Sequence, residues 1–151
     1  MMRRLAISKI FQRGVAAVEA ALLVTPLVIL AFGIVDGGRA FYQYNTLVKS
    51  TRDAVRYLST VAPGTGDATA TCLTVAGTPC PAALPLVEGL DASNVSISRT
   101  TVPSVGNGGT ATGVVSLVEV RVSGFRYVSI VGLSFPSTVF RPISATMRAA
   151  L

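Results

Sequence analysis

Few side chains in this 151-residue sequence can do chemistry, and the one placed most unusually is Glu19. It is the only charge between Val15 and Val35, a run of 21 residues made almost wholly of apolar and small side chains. At about 1.5 Å per residue, a helix of that length crosses a hydrocarbon core of about 30 Å. An ionised carboxylate in such a segment costs about 2.5–3.5 kcal/mol on insertion scales. A cost of that size calls for a partner, so the chemistry open to Glu19 is charge pairing during assembly.

Other chemistries find little support. The chain has no His, and the acids beyond residue 60 are Asp67, Glu88, Asp91 and Glu119. No nucleophile has an evident base, so no enzymatic activity, catalytic residue or cofactor is expected. Cys72 and Cys80 enclose seven residues, Leu73 to Pro79. In an oxidising compartment they are expected to pair. The chain-entropy model gives such a staple about 2.5 kcal/mol. A metal site or a redox pair is the alternative, but the spacing is not C-x-x-C and no other soft ligand exists, so no metal is expected. The Gly-rich stretch Gly106-Asn107-Gly108-Gly109 is followed by no Lys-Ser/Thr and reads as a turn, not a phosphate cradle.

Three parts must position these residues. Residues 1–14 form a basic leader carrying Arg3, Arg4, Lys9 and Arg13. Without those four, nine basic residues face seven acidic ones, so most of the net charge of +6 belongs to the leader. That distribution argues against nucleic-acid binding and places the leader in the cytoplasm, with the C-terminal region outside. A secretory signal peptide is the competing reading; the apolar run is long for one, and Glu19 would fall at its start. Residues 15–60 read as one long helix, about 67 Å over some 45 residues. Its first half is apolar on all faces save Glu19. In its second half Phe41, Tyr44, Leu47, Val48, Thr51, Ala54, Val55 and Leu58 share one side. Asn45, Lys49, Arg52, Asp53 and Arg56 share the other, with Asp53 spaced to pair with Lys49 and Arg56. Pro26 is expected to loosen the helix, and Gly33, Gly37 and Gly38 to weaken it, with a break there allowed.

Residues 61–151 are rich in Thr, Val, Ser, Gly and Pro and read as an extracytoplasmic β-rich domain. Ala70–Ala76 reads as a short strand and Pro81–Leu90 as one or two helical turns. Asn94–Val102 and Gly113–Ser123 read as strands of a hairpin. Phe125–Phe135 is apolar but too short for a second span, so it reads as a core strand or an apolar contact loop. Val139–Arg148 reads as a returning strand. The fold class expected is α+β: a long N-terminal helix, membrane-spanning then amphipathic, packed on a small, mainly antiparallel β domain.

Several motifs together resemble a known family. They are Arg13-Gly14-Val15-Ala16-Ala17-Val18-Glu19, then Pro26, then Gly33-Ile34-Val35-Asp36-Gly37-Gly38-Arg39-Ala40-Phe41-Tyr42, then Ala54-Val55-Arg56-Tyr57. A basic leader ending in Gly, before an apolar helix with Glu at its fifth position, is similar to type IV prepilins and pseudopilins. The continuation resembles the TadE-like family, minor pilins or pseudopilins of the tight-adherence (Flp) pilus. The resemblance covers about Arg13 to Ser59. Ala20 departs from the Phe common in this family and the Tyr of major Flp pilins. With the large region after the helix, that fits a minor subunit.

The resemblance implies cleavage between Gly14 and Val15 by a prepilin peptidase, and Gly leaves that bond unobstructed. Cleavage would free the Val15 amine. Glu19 would then pair with a Val15 amine, usually that of a neighbouring subunit, at far lower cost than an unpaired acid. Snorkelling of Glu19 to the headgroups is the alternative. Ala16/Ala20 and Ala17/Ala21, each four apart, would let helices approach closely. The partners implied are other pilin and pseudopilin subunits, the prepilin peptidase, the inner membrane and the Tad assembly machinery, with no nucleic acid. The location implied is a single pass of the inner membrane before assembly, then the pilus or cell surface. A membrane-anchored adhesin, or a secretion-machine scaffold kept out of the filament, is the competing function.

Overall fold

The computed structural model describes residues 3–79, 84–105, 111–129 and 140–149, with the side chains of 3–13 and 111–112 excepted. The chain divides into two compact units, Met1–Arg39 and Ala40–Leu151.

The described residues of the first unit lie within helix α1, Arg3–Thr60. Its helix begins in the leader, whereas the sequence put the start at Val15. The reason is local: Arg, Leu, Ala, Ile, Lys and Gln dominate residues 3–13, and a lone Gly14 costs only about 1 kcal/mol, too little to stop a helix. The helix also continues through Pro26 and through Gly37-Gly38, so the allowed break does not occur. Pro26 has no N–H to give the Leu22 carbonyl. Beside it, the Thr25 hydroxyl donates to the Ala21 carbonyl at 2.7 Å, satisfying itself on the helix backbone.

The second unit holds the rest of α1, helix α2 (Asp67–Ala76), a 3₁₀ turn (Ala92–Asn94) and strands β1 (Val95–Val105), β2 (Ala111–Val122) and β3 (Ile143–Arg148). The three strands form an antiparallel sheet in the order β1-β2-β3. The α+β class read from the sequence is therefore the observed one, as are the β1–β2 pairing and the returning strand. On β2, Val118, Val120 and Val122 are buried, and Glu119 and Arg121 alternate with them. Register places Ile97 and Ala145 on either side of Val120, and Val95 and Ile143 on either side of Val122. Period-two alternation thus delivers one apolar face.

The amphipathic part of α1 covers that face. Ala54, Val55 and Leu58 cluster with Ala70 of α2 and with Val118 and Val120. Leu47 clusters with Val87, Leu90, Val122, Phe125 and Ile143. Each large side chain so buried stabilises by about 1.5–3 kcal/mol. The stripe read from the sequence holds from Leu47 to Leu58 and fails at its start: Phe41 is 69% exposed. Conversely, Gln43 and Ser50 are buried, which an apolar stripe did not foresee. Ser50 and Thr51 both donate to the Leu47 carbonyl, which makes their burial tolerable.

Ala70–Ala76 is helical, not extended. Glycines bracket the segment: Gly66 at φ 81 and Gly77 at φ 72, with the Gly77 N–H donating to the Leu73 carbonyl. Asp67 sits in the first turn, where the helix dipole favours an acid. Thr71 and Thr74 donate to the carbonyls of Asp67 and Ala70, so their hydroxyls do not compete with the helix. Burial follows the helical spacing of four, at Ala70 and Thr74. In Pro81–Leu90, the described part contains a turn closed by Leu90 N–H to the Val87 carbonyl, with Gly89 at φ 82; residues 81–83 lie outside the described residues. The same holds for the turn read at Gly106–Gly109 and for residues 130–135 of the apolar segment. Of that segment, Phe125 and Tyr127 are buried, and both rings meet Phe140.

Candidate functional site

In the first unit, the candidate site is the surface of α1 from Gly14 onward. Every residue from Gly14 to Phe32 is exposed, including Val18, Leu22, Leu23, Leu27 and Leu30. The helix is long and apolar enough to cross a membrane, and none of its most apolar 18-residue window is buried. Exposed apolar area on that scale marks a surface meant for lipid or for other helices.

The residues singled out for processing, charge pairing and helix packing all lie on this surface. Gly14 has nothing within 4 Å of where a side chain would begin, so the backbone there is open to approach. In the uncut chain Val15 carries an ordinary peptide nitrogen, and Glu19 lies one turn further along, exposed. Ala16, Ala17, Ala20 and Ala21 are exposed too. A helix sets Val15 and Glu19 four positions apart, hence on one side, as it does each alanine pair. The Gly14–Val15 bond is helical, so a protease that binds extended substrate must first unwind it there.

Asp36 closes the apolar run and is buried, at 5% exposure. Burial of an acid in a predominantly exposed stretch is a feature that composition cannot signal.

In the second unit, Cys72 lies half-buried on α2 and is not a free thiol, while Cys80 lies outside the described residues. Among the described residues, no group of His, Cys, Asp and Glu is arranged to hold a metal. Asp53 forms no ion pair with Lys49 or Arg56 among the described residues. The ion pair that matters there went unread in the sequence. Arg99 of β1 holds Asp67 of α2 in a two-pronged contact, with Nη1 donating to Oδ2 at 3.1 Å and Nη2 to Oδ1. The bond from Arg99 holds the Asp67 carboxyl below the usual carboxylate range, against a smaller opposing effect of burial. The same bond pushes the Arg99 guanidinium up. Asp91 caps the 3₁₀ turn, and hydrogen bonds from Ser93 likewise lower its pKa.

A groove of about 480 Å³ is lined on one wall by Tyr42, Thr46, Lys49 and Asp53 of α1 and on the other by Leu73 of α2 and by Leu86 in the segment that follows it. Its lining mixes one cation, one acid, hydroxyls and aliphatic groups, with no pair of groups placed for general acid–base work.

The model of the TadE-like protein family matches residues 14–56. That segment begins at the glycine of the open backbone and ends within the buried stripe of α1. No curated protein and no solved structure matches the chain.

Proposed function

We propose that this chain is a minor pilin or pseudopilin of a tight-adherence, Flp-type pilus. It is made as a single-pass inner-membrane protein, cut after Gly14 by a prepilin peptidase, and assembled through its N-terminal helix to support pilus formation and surface adhesion. The observation that carries this reading is one surface: a fully exposed apolar helix with a lone acid, Glu19, five positions after an unobstructed glycine. The TadE-like match over the same residues supports a pilus-associated role.

The mechanism follows from charge. In the uncut chain the leader keeps Arg13 beside the bond to be cut, at the cytoplasmic face. Cutting converts the Val15 nitrogen from an amide into a cation. Glu19 then has a partner of opposite sign in low dielectric, supplied by the amine of a neighbouring subunit. Pairing removes most of the cost of the lone acid, so a docked subunit is favoured over a free one and its axial register is set. Ala16, Ala17, Ala20 and Ala21 supply the small surface on which two such helices approach. A Cys72–Cys80 disulfide would staple α2 to the chain that follows it.

The first test is the N-terminal sequence of the protein from cells with and without the peptidase. A mature start at Val15 that disappears without the peptidase supports the reading. An intact Met1, or a cut near Ala40, favours an anchored adhesin, a scaffold or a secreted domain and ends it. The pairing has its own test in Glu19→Gln and Glu19→Ala, both expected to be processed normally but poorly incorporated. Normal incorporation of both would sink it.

A further inference from the structure

The rings near the end of the apolar run behave differently from one another. Tyr44 meets Phe140 edge-on at 5.7 Å, and Phe140 also gathers Phe125 and Tyr127. Phe41 and Tyr42 have no ring contact among the described residues and stand 69% and 72% exposed. Burying a Phe within its own domain gains about 1.5–3 kcal/mol, so an exposed pair of large aromatics on a helix needs another environment.

We propose that Phe41 and Tyr42 are a membrane-interface anchor, seated among lipid headgroups on the side of the bilayer facing the outer domain while the subunit is held in the membrane. Three observations select lipid as the occupant. Phe41 comes six residues after Val35, the last apolar position of the run. Six residues of helix rise about 9 Å, which brings the rings to the outer edge of a headgroup layer about 5–8 Å deep. In the sequence, Phe41 and Tyr42 follow the exposed Ile34 and Val35 at a spacing of seven, which carries an apolar strip onward along a helix. Finally, the two rings are consecutive and so about 100° apart. A single neighbouring helix meets one narrow seam, whereas a lipid interface surrounds the helix and takes both. Tyr suits that depth, with an apolar ring and a hydroxyl that reaches water. The anchor would fix how far the helix sits in the bilayer, and so the depth from which Val15 and Glu19 must be withdrawn during assembly.

The inference rests on reading Val15–Val35 as a membrane span, and the test separates the two. The chain has no Trp, so one introduced Trp is a unique reporter. Full-length Phe41→Trp, Tyr42→Trp, Leu27→Trp and Arg52→Trp are reconstituted in phosphatidylethanolamine/phosphatidylglycerol vesicles. Lipids brominated near the headgroup, or near the chain end, act as quenchers. Leu27→Trp should be quenched by the deep bromines. Phe41→Trp and Tyr42→Trp should emit to the blue of free Trp and lose more intensity to the shallow bromines, and Arg52→Trp should be unquenched. Deep quenching at residue 27 with no quenching at 41 and 42 overturns the anchor and leaves the span standing. No quenching at residue 27 removes the span, and the anchor with it. Quenching at residue 52 equal to that at 41 would mean that the whole domain lies on the lipid, and overturns a local anchor.

Discussion

One helix carries two kinds of apolar surface. From Gly14 to Phe32, α1 exposes every side chain, large aliphatics included. From Leu47 to Leu58 the same helix hides Leu47, Thr51, Ala54, Val55 and Leu58 against β2 and α2. The difference teaches that hydrophobicity alone does not tell what a segment is for. The first stretch is apolar on all sides and matches no surface of its own unit. The second is apolar on one side and packs on the apolar face of the sheet. In one region an apolar side chain adds nothing to the stability of the isolated protein; in the other it is most of that stability.

The sharpest way to break this comparison is to truncate a leucine in each region. Leu47→Ala removes a fully buried side chain from the cluster with Val122 and Phe125, and is expected to cost about 2–5 kcal/mol. Leu23→Ala, in the exposed stretch, is expected to stay within about 0.5 kcal/mol. Urea unfolding of the detergent-solubilised full chain, followed by tyrosine fluorescence, checks both. Equal effects would mean that the two stretches are not different in kind.

A charge should reverse the ranking. Leu23→Arg is expected to cost about 2.5–3.5 kcal/mol in membrane insertion while leaving the second unit folded. Asn45→Arg, on an exposed face of the second region, should leave insertion unchanged. The readout is the fraction of protein that resists carbonate extraction from membranes. Next in size is the staple: Cys72→Ser is expected to lower the unfolding free energy of the oxidised protein by about 2.5 kcal/mol, and to have no effect once wild type is reduced. A loss of the same size under reducing conditions would assign the effect to packing on α2.

How much of this was legible in the sequence depends on how local the signal is. Glu19 was legible because one charge in 21 apolar residues needs no knowledge of the fold. β2 was legible because Val118, Val120 and Val122 alternate with polar residues, and the pairing of β1 with β2 followed from a Gly-rich turn between two such runs. The α2 helix was misread because Thr, Val and Cys favour strands, and the decisive features are backbone ones: left-handed Gly66 and Gly77, and threonine hydroxyls turned onto carbonyls four residues back. Phe41 was misread because helical spacing places it on the stripe without saying where the sheet beneath the stripe ends. The Arg99–Asp67 pair left no trace, since 32 residues separate its partners and each looks like a solvated charge.

That pair gives the smallest prediction and the one that best confines electrostatics to the second unit. Asp67 and Arg99 are 48% and 32% exposed, so solvent screens them and the contact is expected to contribute no more than about 1 kcal/mol. Because the Asp67 pKa is lowered by folding, its contribution is fully present above the unfolded carboxylate value, about 3.9. It is lost as pH falls through the lower, folded value. Asp67→Asn should therefore be less stable than wild type at neutral pH, with the gap closing below about pH 4. Asp91, whose pKa is also lowered, titrates in both proteins, so the difference between them isolates Asp67. Salt at about 1 M, where the screening length is about 3 Å, should shrink the gap at neutral pH. Arg99→Lys keeps the charge but loses the two-pronged geometry, and should fall between wild type and Asp67→Asn. A gap that persists undiminished in acid would mean that Asp67 stabilises the second unit through contacts of its uncharged side chain, since the Arg99 pair and the α2 dipole both need the ionised carboxylate.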